Sequence, residues 1–160
     1  MEFQETQRFN NTWHYVLFLT IIGLTIGTAA FNYFYMQSNQ MSIIGGSSSF
    51  VIVCILWFSM KLKTRIDTIG IHYRYTPFHL KERTLTWNEI QAVEIKEYRP
   101  LQDYGGWGIR FKGFDFNNIL LNVAGNKGIQ VHLKSGKRIM IGTQQAYEAD
   151  QALERFKSIS

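Results

Sequence analysis

Hydrophobic and polar residues follow two different rhythms along this chain, and the change falls near residue 60. Tyr15 to Phe34 reads YVLFLTIIGLTIGTAAFNYF, a nearly unbroken apolar stretch of 20 residues. Coiled as a helix it rises roughly 30 Å, the thickness of a bilayer hydrocarbon core. Ile43 to Met60 is a second apolar stretch of 18 residues, weakened by Gly45, Gly46 and Ser47 to Ser49. Neither stretch carries the polar stripe of a helix half-buried in a water-facing core. From Thr64 onward the pattern alternates, as half-buried strands require. Ile71, Tyr73 and Tyr75 interleave with His72, Arg74 and Thr76; Val93 and Ile95 with Glu94 and Lys96; Ile129, Val131 and Leu133 with Gln130, His132 and Lys134. Turn residues separate these runs at Asp67 to Gly70, Pro77-Phe78, Arg99-Pro100, Gly105-Gly106, Gly125 to Gly128 and Lys134 to Lys137. The count is about seven short strands in hairpins, hence an antiparallel sheet. After Thr143, a candidate N-cap, Tyr147, Leu153, Phe156 and Ile159 recur near helical spacing and predict a closing amphipathic helix.

Charge sharpens the division. Phe9 to Met60 is 52 residues without Asp, Glu, Lys or Arg, whereas residues 61–160 hold 16 Lys and Arg against 10 Asp and Glu. A single charge at the middle of a spanning helix costs about 2.5–3.5 kcal/mol, so its absence through both stretches predicts a membrane hairpin. A cleaved signal ending near Thr28-Ala29-Ala30 fits less well, because the apolar region exceeds the usual length of such a leader. Lys61, Lys63 and Arg65 follow the second stretch directly, which by the positive-inside tendency leaves both ends in the cytoplasm. The reading therefore divides the chain into a cytoplasmic tail (1–12), a two-helix transmembrane hairpin (13–63, helices over about 13–35 and 43–62) and a cytoplasmic domain (64–160). Gly23 and Gly27 form a GxxxG, with packing against Gly46 and Ser49 of the second helix preferred over dimerisation.

Local wording adds a resemblance. Arg65-Ile66-Asp67 with Gly70-Ile71, Trp87-Asn88-Glu89-Ile90 after Arg83, and Gly136-Lys137 with Ile139 and Ile141 are similar to bacterial pleckstrin-homology-like (PH-like) domains behind a two-helix membrane hairpin. Asp103 to Arg110 and Gly125 to Gln130 resemble a narrower, uncharacterised group of such proteins. The resemblance implies an α+β fold: a transmembrane helical hairpin, then an antiparallel barrel or sandwich of about seven strands capped by a C-terminal helix. It also implies a two-pass protein of the bacterial inner membrane. Such folds host many unrelated binding tasks, so the resemblance carries no activity with it.

Candidate chemistry is sparse. His14, His72, His79 and His132 lack metal-ligand spacing, and His72 and His132 fall in the solvent phase of their strands. Cys54 is the single cysteine. No nucleophile motif, phosphate loop or dinucleotide fingerprint appears, so neither an enzyme nor a cofactor is expected. The loop Arg99, Asp103, Tyr104, Gly105, Gly106, Trp107 and Arg110 combines glycines with two flat aromatic anchors and two cations, as a recognition loop would. The same glycines serve a tight hairpin with Trp107 folded over the barrel mouth. Lys61, Lys63 and Arg65 are candidate lipid-headgroup contacts. The expected function is a non-catalytic module presenting a surface to a protein partner or to the headgroup layer, the alternative an accessory subunit of a membrane enzyme or transporter. No nucleic acid and no homo-oligomer are called for.

Overall fold

The computed structural model describes residues 2–8, 12–35 and 59–157. The chain divides into two compact units, Met1–Arg8 with Met60–Ser160, and Phe9–Ser59. In the second unit, α1 (Thr12–Tyr35) is the described element. Its threonines turn inward on their own helix: Thr20 and Thr25 donate to the carbonyls of Val16 and Ile21 at 2.9 and 2.8 Å, and Thr28 to that of Thr25 at 3.0 Å.

Among the described residues, no helix is long and apolar enough to cross a membrane. This overturns the transmembrane hairpin, and with it the two-pass inner-membrane placement and the cytoplasmic termini. The apolar character of α1 is diluted by Thr20, Thr25 and Thr28 and by Gly23 and Gly27. The second stretch, including Gly46, Ser49 and Cys54, lies outside the described residues except at its end. A Cβ added to Gly23 or Gly27 would meet nothing within 4 Å, so neither is a point of close packing among the described residues.

The first unit holds two sheets. One contains β1 (Phe3–Arg8), β2 (Lys61–Ile66), β3 (Gly70–Thr76) and β4 (Arg83–Thr86), side by side in that order and antiparallel. The other contains β5 (Ile90–Glu97), β6 (Gly108–Lys112), β7 (Asp115–Asn122), β8 (Lys127–Leu133) and β9 (Arg138–Gly142), in the order β5-β8-β9-β7-β6. A short helix α2 (Pro100–Tyr104) joins β5 to β6, and α3 (Ala146–Lys157) follows β9.

This corrects the PH-like expectation of about seven antiparallel strands. Nine strands are present among the described residues, and β7 runs parallel to β9. Two strands were hidden for opposite reasons: β2 carries its charges on the outward phase of the pleat, whereas β1 buries polar residues on its inward phase. In β2, Leu62, Thr64 and Ile66 are buried while Lys61, Lys63 and Arg65 point outward, so cations expected to mark a membrane exit are the solvent side of a strand. In β1, Phe3, Glu5 and Gln7 face in.

Polar side chains tie the sheets together. Glu5 accepts from the Thr143 hydroxyl at 2.6 Å and from the Gln144 amide at 2.8 Å. Gln7 donates to the Gly142 carbonyl at 2.6 Å, and the Tyr75 hydroxyl to that of Asn122 at 3.4 Å. On α3, Ala149, Ala152, Leu153 and Phe156 recur at helical spacing and are buried. The helix packs on β5 and β8 from one sheet and β1 and β2 from the other. Tyr147, expected on that face, is exposed, and Ile159 lies outside the described residues.

Candidate functional site

The recognition loop predicted from sequence is a short helix followed by a glycine-framed turn. Arg99 is extended, and Pro100 opens α2 with its φ already suited to a helix. The Asp103 carboxylate accepts from the Arg99 amide at 2.8 Å, and the Asp103 amide donates back to the Arg99 carbonyl at 2.8 Å. Gly105 ends the helix at φ 73°, a conformation costly for residues with a Cβ, and lets its own amide and that of Gly106 reach back to the Leu101 and Pro100 carbonyls.

That frame sorts the predicted residues into two groups. Tyr104 is not a surface anchor: it is 8% exposed, packs edge-on against Tyr98 with ring centres 6.0 Å apart, and donates its hydroxyl to Asn118 at 3.1 Å. Tyr98, Tyr104, Leu120 and Met140 form one buried cluster. Burial holds both phenols above their ordinary titration range, reinforced at Tyr104 by the Asp103 carboxylate and opposed there by Arg138. Trp107, by contrast, stays 43% exposed, and Leu101 is exposed beside it.

Between these residues and the β5 end lies a cleft of about 770 Å³ lined by Glu97 to Asp103, Trp107 and Asn126. Its rim is preset. Asn126 donates to the Glu97 carboxylate at 2.7 Å, the Tyr98 amide to the Asn126 carbonyl at 2.8 Å, and the Arg99 guanidinium to Gln102 at 3.0 Å. Arg110 is not part of the lining and donates through Nε to the Trp107 carbonyl at 3.2 Å, which fixes the turn carrying the indole. Of the seven predicted loop residues, Arg99, Asp103 and Trp107 line the cleft, Gly105, Gly106 and Arg110 shape it, and Tyr104 supports it from the core. The lining residues Glu97, Tyr98, Pro100, Leu101, Gln102 and Asn126 were missed. Asn126 sits in a loop that only the pairing of β5 with β8 brings alongside.

Lys61, Lys63 and Arg65 lie apart from the cleft, on the outward face of the four-stranded sheet. Arg65 is held by Asp67 at 3.0 Å and Glu82 at 3.5 Å. Next to it, His72 is 5% exposed rather than solvated. Its Nε2 lies 3.0 Å from Asp67 Oδ1 and its Nδ1 2.8 Å from Thr84 Oγ1. A carboxylate only accepts, so Nε2 carries a proton toward Asp67, and the Thr84 hydroxyl, able to donate or accept, satisfies Nδ1. Asp67 also takes the Ile69 and Gly70 amides at 2.9 and 3.3 Å, and Trp87 donates to its carbonyl at 2.9 Å. Burial pushes the Asp67 carboxyl up, but the bonds from His72 and from the two amides, with the charge of His72, hold it below its ordinary value of 3.8. Both oxygens are spent on the corner between β2 and β3, which makes this network a fastener of that corner.

Among the described residues, no three His, Cys, Asp or Glu side chains converge as metal ligands would. Comparison with known protein families, with curated proteins and with solved structures finds no match for this chain.

Proposed function

We propose that this chain is a non-catalytic binding module whose recognition site is the cleft beside α2, and that its ligand is a segment of a protein partner. The observation that carries the reading is Trp107, an aromatic side chain left half in water at the edge of a preset cleft. Tryptophan is among the residues that most often dominate binding energy, because a large rigid surface is desolvated at small entropic cost. Leu101 extends the apolar wall, and Glu97 and Asp103 outnumber Arg99 among the charged lining residues. A ligand suited to this lining has an apolar side chain to lie on the indole and a basic neighbour to meet the acids.

Selection from a random peptide display library against the immobilised full-length chain tests this. Peptides pairing an apolar residue with Lys or Arg should be enriched, and Trp107→Ala should abolish the enrichment. Loss of about 2 kcal/mol or more is expected for a buried aromatic anchor. No enrichment, or the same peptides on Trp107→Ala, would sink the proposal.

A further inference from the structure

The outward face of the four-stranded sheet carries a band of positive charge assembled from distant parts of the sequence. The register sets Arg8 of β1 directly opposite Lys61 of β2, and Lys63 of β2 directly opposite Arg74 of β3. Arg65 continues the band one step along β2. With strands about 4.8 Å apart and a rise of about 3.4 Å per residue, all five Cα positions fall within roughly 10 by 14 Å.

Like charges directly opposed across a sheet are destabilising, and this face contains two such pairs in adjacent rows. Arg65 is neutralised by Asp67 and Glu82, but among the described residues no carboxylate pairs with Arg8, Lys61, Lys63 or Arg74. The other positions in these rows are Gln4, Thr6, Thr76, Thr84 and the buried His72, which is bound to Asp67, and no Phe, Tyr or Trp stands among them. A planar, uncompensated cationic array complements a planar anionic one. Single-stranded nucleic acid is a poorer match, since its binding surfaces interleave aromatic rings for base stacking.

We infer that this face docks on an anionic lipid headgroup layer from outside, a mode of attachment that needs no spanning helix. It uses none of the residues of the α2 cleft, so it stands or falls separately from the binding reading proposed above. Each cation near such a surface contributes about a fivefold gain in partition.

The test is flotation of the full-length protein with vesicles of phosphatidylcholine, alone or mixed with phosphatidylglycerol. The readout is the ratio of the two partition coefficients. The ratio should exceed one and fall with added salt. Lys63→Gln and Arg74→Gln should each lower it about fivefold and together about 25-fold. Lys134→Gln with Lys137→Gln, the same charge loss at the β8–β9 turn, should leave it unchanged, as should Trp107→Ala. Equal binding to both vesicles would overturn the inference, as would an effect of the turn variant as large as that of the sheet variant. Tighter, Lys63- and Arg74-dependent binding to a DNA duplex would overturn it in favour of nucleic acid.

Discussion

Glu5 offers the sharpest test of how the first unit is held together. Its carboxylate is buried, with one oxygen on the Thr143 hydroxyl and the other on the Gln144 amide, 138 and 139 residues away. Both bonds are charge-assisted, worth about 1.5–3 kcal/mol each, and truncation leaves two donors without a partner. Glu5→Ala should therefore cost about 3–5 kcal/mol. Glu5→Gln keeps the volume and one acceptor while losing the charge, so its cost should be about 1–2 kcal/mol. The expected order is Ala worst, Gln intermediate, and the neighbouring exposed position, Arg8→Ala, within about 0.5 kcal/mol of the parent. Urea unfolding followed by circular dichroism measures each as a shift in midpoint at constant slope. If Glu5→Ala unfolds within about 0.5 kcal/mol of the parent, β1 is not fastened to the start of α3 and the account of the core is wrong.

Other outcomes follow from single contacts. Because the Asp67 carboxyl is held below 3.8 in the folded chain, its contribution is complete above the unfolded carboxyl value and is lost as pH falls through the lower folded one. Asp67→Asn should thus be less stable at neutral pH and show a flatter acid limb when unfolding free energy is measured below about pH 5. A Cβ on Gly142 would stand 2.5 Å from Asn122 Oδ1, so Gly142→Ala should lose about 1–3 kcal/mol in the same urea assay. Phe114, 97% exposed at the tip between β6 and β7, should tolerate Phe114→Ser within about 0.5 kcal/mol while solubility, read as the salting-out point, rises.

Sequence patterning carried some of these elements and failed at others for identifiable reasons. Ile71, Tyr73 and Tyr75 are indeed the buried phase of β3, and the C-terminal helix lies where apolar spacing put it. Alternation reveals phase but not which phase faces in, unless apolarity marks it. In β1 the inward residues include Glu5 and Gln7, whose burial is tolerable only because Thr143, Gln144 and Gly142 supply partners from the other end of the chain. His72 falls in the polar phase and is buried all the same, since Asp67 and Thr84 satisfy both its nitrogens. Tyr104 looked like an anchor because its neighbours are glycines, but its partner Asn118 lies on a strand whose place beside β9 no local pattern encodes. The long apolar run weighed most in the reading and misled it most, because uncharged length alone does not make a spanning helix.

The pairing of Arg8 with Lys61 has a further meaning for how this molecule can be rebuilt. Two neighbouring strands of one sheet are separated in sequence by a body that clusters on its own, so topologically the intervening residues are a guest between the arms of a hairpin. Excising the guest and closing the arms with a tight Asn-Gly turn should leave the register of the host sheet intact. An unrelated domain with adjacent termini could be spliced into the same opening, making this point a natural port for sensors and fusions.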